Sequence, residues 1–157
     1  MFYIVDALIS KGKCCMRLIL ILSALLAFQS GAASEFDDNK ALADIGYSKA
    51  QYNLGLIYYI GKDVPANFYE AIKWFKKAAA QGHAMAQYNL GFMYANGEGV
   101  PENSIRAYLW WSMAKTQGRA DAATNLDILK PKMTPQQLAE GQALAAKCYE
   151  SDYKECD

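Results

Sequence analysis

Apolar residues recur at helical intervals along the chain. Leu54, Ile57 and Tyr58 lie three or four positions apart, and residues 71–78 show the same spacing. Between these two runs stands a segment with a glycine and a proline, residues 61–65, which interrupts the periodicity. Apolar positions three and four residues apart form one face of an α-helix. This part of the sequence therefore predicts two amphipathic helices joined by a loop.

The same layout returns 36 residues later. The run AQYNLG at residues 50–55 recurs at residues 86–91, and a degenerate copy begins at Ala122. A unit of this length cannot bury its apolar face alone, so it must stack on its neighbours. We therefore predict an all-α fold, an α/α superhelical solenoid of helix–loop–helix repeats. The predicted units are a half repeat at 34–49, repeats at 50–85 and 86–121, a degenerate third repeat with a capping helix at 122–150, and a tail at 151–157.

Polar residues mark where several helices begin. Asn67 and Asn103 stand where a side-chain oxygen can accept from the first free amides of a helix, and Glu70 gives Asn67 the spacing of a capping box. Thr134 precedes a proline and has Gln137 three positions later, the same signal with proline at the first helical position. These residues predict the starts of three helices.

Four glycines have predicted structural roles. Gly55 and Gly91 fall inside predicted helices, where glycine costs about 1 kcal/mol relative to alanine. We expect a close helix crossing at each of them to offset that cost. Gly82 and Gly118 stand where the second helix of each repeat should end.

The N-terminal segment, residues 1–33, has the pattern of a cleavable signal peptide. Basic residues precede the eleven-residue run Leu18–Phe28, and the small residues Gly31-Ala32-Ala33 follow it. The run is too short to span a bilayer, which takes about 20 residues. We expect cleavage after Ala32 or Ala33, no membrane span in the mature chain, and a periplasmic or secreted protein. Met16 is an alternative translation start, because a compact signal peptide would begin there.

Charge and cysteine content narrow the function classes. Without residues 1–33 the chain has 13 Lys and Arg against 15 Asp and Glu, so it lacks the basic excess of a nucleic-acid-binding protein. Only Cys148 and Cys156 remain, which in an exported protein favours a disulfide over a metal site. The bridge requires the last helix to end near Cys148, because two cysteines eight residues apart on one helix are too far apart. The lone His83 is predicted to be a surface residue.

Two full units share a set of residues that resembles the Sel1-like repeat, a relative of the tetratricopeptide repeats. The set is Ala50, Leu54, Gly55, Tyr58, Gly61, Val64, Pro65, Ala71, Trp74, Ala78 and Gly82, with Ala86, Leu90, Gly91, Tyr94, Gly97, Gly99, Val100, Pro101, Ala107, Trp110, Ala114 and Gly118. The resemblance covers roughly residues 36–147. It implies an α/α superhelix that serves as a scaffold for protein partners, in exported bacterial members often at the cell envelope. Asp63 departs from the usual loop glycine, which leaves the conformation of that loop open.

By analogy with tetratricopeptide arrays, the first helix of each repeat should line a concave face. The positions that the motif leaves free there are Lys49, Tyr52, Leu56, Tyr59, Ile60, Met85, Tyr88, Phe92 and Asn96. An aromatic surface with few charges is typical of the core of a protein or peptide interface. We therefore predict that Tyr52, Leu56, Tyr59, Tyr88 and Phe92 bind a protein or peptide partner. The alternative is that these side chains only pack between repeats.

Asn53, Asn89 and Asn125 repeat at the same interval and form a second candidate. Their amides are suited to holding the backbone of an extended peptide, so Asn53 and Asn89 join the predicted binding residues. Equally, they can satisfy polar groups of neighbouring helices.

No residue pattern calls for catalysis, a cofactor or a metal. The one catalytic-looking match is Ser112-Met113-Ala114-Lys115, the S-x-x-K motif of penicillin-binding enzymes and serine β-lactamases. Lys115-Thr116-Gln117 lacks the glycine of the accompanying Lys-Thr-Gly element, so chance is the better explanation. Some exported, cysteine-rich Sel1-like proteins are associated with penicillin binding. Binding or hydrolysis of a β-lactam or cell-wall compound is therefore the alternative to a non-enzymatic scaffold.

Overall fold

The computed structural model describes residues 34–156, and over this range the chain is helical without any strand. The elements are α1 (Glu35–Asp44), α2 (Ser48–Ile60), α3 (Phe68–Ala79), α4 (Ala84–Asn96), α5 (Ser104–Thr116), α6 (Ala120–Leu129), a 3₁₀ turn (Lys130–Lys132) and α7 (Pro135–Glu150). The predicted signal peptide at 1–33 lies outside the described residues. Within 34–156, no helix has both the length and the apolar character that crossing a membrane requires.

The helices stack in chain order as an α/α solenoid, which confirms the predicted fold class. Each helix from α1 to α5 packs on the helix that follows it in the chain. The exception is α7, which packs back on α5 rather than on α6. The first helices of the repeats, α2, α4 and α6, therefore form one layer. The helices α1, α3, α5 and α7 form the other.

The two helices of each full repeat approach each other closely at a glycine. A Cβ atom added to Gly55 in α2 would lie 2.5 Å from Cδ1 of Phe75 in α3. A Cβ atom on Gly91 in α4 would lie 2.6 Å from Nε1 of Trp111 in α5. That indole nitrogen donates to the backbone oxygen of Tyr88 at 3.2 Å, which holds the ring over the glycine. The predicted reason for these two glycines is confirmed.

Side-chain caps begin the helices where the sequence places them. The Oδ1 atoms of Asn67 and Asn103 accept from backbone amides at 3.1 and 2.9 Å. Thr134 and Gln137 form both halves of a capping box at the start of α7. The carboxylate of Glu70 does not complete such a box and instead pairs with Lys73 at 3.0 Å.

The loop of the first repeat keeps the left-handed conformation of the second despite its aspartate. Asp63 has φ 65°, and Gly99 at the equivalent position has φ 73°. A left-handed backbone is nearly free of strain for glycine but costs energy for a residue with a Cβ atom, less so for aspartate than for most. The sequence left the conformation of this loop open. The fold holds Asp63 in the left-handed conformation that Gly99 adopts in the second repeat.

Two buried glutamines connect successive repeats, a role that we did not predict. Nε2 of Gln51 donates to the backbone oxygen of Ala43 at 3.2 Å, and its Oε1 accepts from Gln81 at 2.7 Å. Gln87 makes the equivalent bonds one repeat later, to Ala79 at 3.2 Å and from Gln117 at 2.6 Å. Because a buried amide without partners is costly, these bonds favour one way of stacking the repeats.

The C-terminal tail folds back on the end of α7. Asp152 and Tyr153 adopt φ of 53° and 65°, which reverses the chain just after the helix. The Cα atoms of Cys148 and Cys156 lie 4.5 Å apart, within the roughly 4.4 to 6.8 Å spanned by disulfides, and the structure joins their sulfur atoms. Both cysteines are buried, and the ring of Tyr153 lies beside Gly82. The tail therefore links α7 to the junction between α3 and α4.

We expect Gly91→Ala to lower the free energy of unfolding by about 1–3 kcal/mol, the usual cost of overpacking a core. In an open helix the same change raises it by about 1 kcal/mol, so the sign of the effect is diagnostic. Urea unfolding of Gly91→Ala in the wild-type and Trp111→Leu backgrounds measures the clash as a double-mutant cycle. An equal loss in both backgrounds would contradict the assignment of the clash to Trp111.

We expect Asp63→Gly to raise the free energy of unfolding by about 0.5–1 kcal/mol, because glycine relieves the left-handed backbone. Asp63→Ala should lower it, since alanine keeps the Cβ atom and loses the polar side chain that tolerates this conformation. The two variants are compared by thermal and urea unfolding. Stabilisation by alanine would show that the conformation of residue 63 carries no strain.

Candidate functional site

A groove of about 280 Å³ opens between the first helices of the two full repeats, α2 and α4. We call it the first groove. Its lining residues are Leu56, Tyr59, Ile60, Tyr88, Asn89, Phe92 and Met93. None of these side chains carries a charge. Ile60 and Phe92 are exposed, with relative accessibilities of 69% and 38%. The first groove is thus a preformed apolar and aromatic surface on the layer of first helices.

The first groove brings together five of the seven predicted binding residues: Leu56, Tyr59, Tyr88, Asn89 and Phe92. Tyr52 and Asn53 lie on the same helix as Leu56 but are not among the lining residues. Met93, which the helical periodicity assigned to the core, is fully buried and also lines the groove. Met93 belongs to the core and also lines the groove. The sequence alone did not single it out, because its spacing indicated only a core residue.

Tyr59 forms a fixed wall at one end of the first groove. Its ring packs on Phe68 with centroids 5.3 Å apart, and its hydroxyl interacts with the carboxylate of Glu98 in the loop of the next repeat. Partial burial, followed by this interaction with Glu98 and the charge of its carboxylate, raises the pKa of Tyr59. Tyr59 is therefore neutral at physiological pH, and its position is set from two sides.

Tyr52 supports the start of α4. Its ring stacks on His83 with centroids 4.6 Å apart and also contacts Phe75 at 5.8 Å. His83 was predicted to be a surface residue, and that prediction is wrong. The side chain is half-buried, and its Nδ1 atom accepts from the backbone amide of Ala86 at 3.3 Å, which makes it the N-cap of α4. Its position just before the first helix of a repeat could have indicated an N-cap. The repeat pattern did not support that prediction, because the equivalent residues, Tyr47 and Arg119, make no side-chain cap.

The repeated asparagines hydrogen-bond between neighbouring helices. Nδ2 of Asn53 donates to Oδ1 of Asn39 at 3.0 Å, and Nδ2 of Asn125 donates to the hydroxyl of Tyr88 at 3.3 Å. Asn89 interacts with the hydroxyl of Tyr52 at the equivalent position one repeat earlier. The interhelical alternative is thus realised. A carboxamide has two donors and an acceptor, so each asparagine keeps further hydrogen-bonding capacity.

A second pocket, of about 300 Å³, lies one repeat along, at α4 and α6. We call it the second groove. Adding 36 to five lining residues of the first groove gives five of the second: Ala95, Asn96, Asn125, Ile128 and Leu129. The others are Glu102, Ser104, Trp111 and Lys132. Of the residues that the sequence analysis put forward, Asn96 and Asn125 line this groove. Extending the repeat interval into the degenerate third unit was the signal that could have found Ala95, Ile128 and Leu129.

Arg119 lies beside the groove residue Tyr88 and is paired with an acidic residue. The guanidinium of Arg119 lies 5.5 Å from the ring centre of Tyr88, and its Nε atom donates to Asp121 at 3.0 Å. That hydrogen bond and ion pair lower the pKa of Asp121 and raise that of Arg119. The cation is thus compensated, and it contributes stacking rather than net charge beside Tyr88.

Ser112 and Lys115, the two chemical residues of the S-x-x-K match, lie on α5 and line neither groove. Lys115 is exposed, and Ser112 is partly buried. Among residues 34–156, no group of three or more His, Cys, Asp or Glu side chains is arranged to hold a metal ion.

Comparison with known proteins identifies the repeat. The sequence model of the Sel1 repeat matches residues 48–83 and 84–118. The crystal structure of a Sel1 repeat protein from Oxalobacter formigenes is similar, with 32% sequence identity and a TM-score of 0.55 over 57% of this chain and 67% of that one. This chain belongs to the Sel1 repeat family.

A second solved structure carries the same fold over more of this Sel1 repeat protein. It is a protective antigen present in uropathogenic Escherichia coli strains, described as displaying an SLR fold. The identity is 31% and the TM-score 0.69, over 83% of this chain. This chain spans only 29% of the length of that antigen. No curated protein matches the chain. Sel1 repeat proteins are typically scaffolds for protein–protein interactions and are generally not enzymes.

We expect the N-cap at His83 to make stability fall as pH drops below about 6.5, the ordinary pKa of histidine. Burial lowers the pKa of His83 in the folded chain. The unfolded chain then binds more protons in this range, so acid favours unfolding. Protonation of Nδ1 removes the acceptor for Ala86, and a cap is worth about 1 kcal/mol.

The measurement is urea unfolding between pH 7.5 and 5.5. His83 is the only histidine in the chain, and His83→Asn keeps a capping oxygen that does not titrate. The variant should lose the pH dependence in this range. An unchanged slope in His83→Asn would assign the effect to other groups.

Proposed function

We propose that this chain is an exported, non-enzymatic scaffold that binds a protein or peptide partner at the bacterial cell envelope through the first groove. The observation that carries the proposal is the groove itself. Five predicted binding residues meet there around an uncharged cavity of about 280 Å³. Interface cores are enriched in aromatic residues and depleted in charge, and the first groove has that composition.

Exposure of the lining supports binding over simple packing between repeats. The equivalent core positions of the two repeats, Leu54 and Leu90, are fully buried. By contrast, Ile60 and Phe92 line the first groove and remain exposed. Large apolar side chains that serve only packing are buried, whereas exposed ones around a cavity mark interaction sites.

Two features support export: the order of residues at the N-terminus and the cysteine pair near the C-terminus. The charged, apolar and small-residue order of positions 1–33 is typical of a signal peptide. The cysteine pair lies at disulfide distance, and disulfides persist in oxidising compartments.

The binding proposal is tested with Ile60→Ser/Phe92→Ser, which replaces the two exposed apolar residues of the first groove. Proteins captured from an envelope extract by the wild type are identified and purified, and their affinities for both forms are then measured. We expect at least a tenfold weaker Kd for the variant, because central interface residues typically contribute more than 1 kcal/mol each.

The matched control is Tyr69→Ser/Tyr149→Ser, which removes two exposed aromatic residues from α3 and α7. It should bind the partner like the wild type. Circular dichroism confirms that both variants remain folded. Equal loss in the control, or no loss in the groove variant, would move the binding surface away from the first groove.

The export proposal is tested by N-terminal sequencing of the protein recovered from the periplasmic fraction of bacteria that express the full chain. We expect mature N-termini at Ala33 or Ser34, the residues after the two predicted cleavage positions. An unprocessed chain confined to the cytoplasmic fraction would contradict it.

A further inference from the structure

The two grooves lie at equivalent positions in successive repeats, but the residues that line them differ in polarity and charge. At the position of Ile60 the second groove has Asn96, and at that of Tyr59 it has Ala95. The second groove also gains Glu102, Ser104 and Lys132. The first groove therefore offers an apolar surface, while the second has polar and charged walls around an apolar floor.

Helix α4 lies between the two grooves and contributes to both. Phe92 and Met93 face the first, and Ala95 and Asn96 face the second. Because packed helices lie roughly 8–10 Å apart, the grooves are separated by roughly 10 Å or slightly more. An extended chain advances roughly 3.3 Å per residue, so three or four residues bridge that distance. One segment can reach both grooves.

The repeated asparagines favour an extended ligand over a helical one. Asn89 lines the first groove and Asn125 the second. Asn125 donates to the hydroxyl of Tyr88, Asn89 interacts with that of Tyr52, and both retain hydrogen-bonding capacity. An extended peptide has free backbone N–H and C=O groups to meet them, whereas the backbone of a helix is satisfied internally.

The charges of the second groove indicate the side chain that it accepts. Glu102 supplies a carboxylate and Lys132 an ammonium group, so an ion of either sign would meet one like charge. A neutral carboxamide can donate to the carboxylate and accept from the ammonium group at once. Asparagine or glutamine therefore suits this groove better than a charged residue.

We propose that the two grooves together recognise one extended peptide segment, with a large apolar side chain for the first groove and an asparagine or glutamine three or four residues away for the second. This inference rests on the binding function proposed above. It assigns the second groove, in the degenerate third repeat, a role in specificity rather than only in capping the array.

A library of random 12-residue peptides displayed on phage tests the proposal with the purified protein as bait. We expect enrichment of at least fivefold at two positions, a large apolar residue and, three or four residues away, asparagine or glutamine. Phe92→Ala should erase the apolar preference alone. Lys132→Glu should replace the carboxamide preference by lysine or arginine, because the second groove then carries two carboxylates.

Lys130→Glu is the matched control, since it makes the same charge change on the same 3₁₀ turn outside both grooves. It should leave both preferences unchanged. Lys130 and Lys132 are not buried, and unchanged thermal unfolding verifies that each variant is folded.

The outcomes separate this inference from the function on which it rests. Selection of a single apolar position, or of two positions that Lys132→Glu leaves unaltered, would overturn the two-groove recognition and leave binding by the first groove intact. Selection of no peptide at all would overturn the recognition of an extended segment, while the capture experiment with Ile60→Ser/Phe92→Ser decides the proposed function independently.

Discussion

The architecture depends on the close crossing of two helices at a glycine in each full repeat. At Gly55 and Gly91 the partner helix presents a large aromatic ring, Phe75 or Trp111, where a Cβ atom would otherwise lie. The ring packs directly on the backbone at the glycine, so the two helices of one repeat lie close together. Dense packing within each repeat, and the buried bonds of Gln51 and Gln87 between repeats, hold the first helices as one layer. The grooves between these helices are therefore properties of a rigid scaffold.

Rigidity of this kind bears directly on binding. A preformed groove loses little conformational entropy when a ligand enters, so more of the contact energy appears as affinity. Several groove-lining positions differ between the repeats, such as Ile60 and Asn96, whereas the crossing glycines and the buried glutamines recur. The recurring residues maintain the fold, and the variable positions of the lining can set specificity.

The fold was predictable because its determinants are local and periodic. The 36-residue interval, the caps at Asn67 and Asn103, and the crossing glycines all lie in the sequence itself. The position of the site followed from the layer of first helices, so five of seven candidate residues meet in one groove. Tyr52 stacks on His83 and does not line the groove. The sequence did not predict this contact, because it joins one repeat to the start of the next. The second groove was missed because its lining includes residues such as Glu102 and Lys132 from outside the first helices.

The central claim is that the partner contacts the layer of first helices and not the opposite layer. Site-specific photocrosslinking in living bacteria tests it most directly, with a photoreactive phenylalanine at residue 92 in the first groove or at residue 69 on α3. Both side chains are exposed in the free chain, so both probes can react with whatever lies against them. The account predicts a crosslink to a defined protein or peptide from residue 92 and none from residue 69. Crosslinking from residue 69 alone would contradict it.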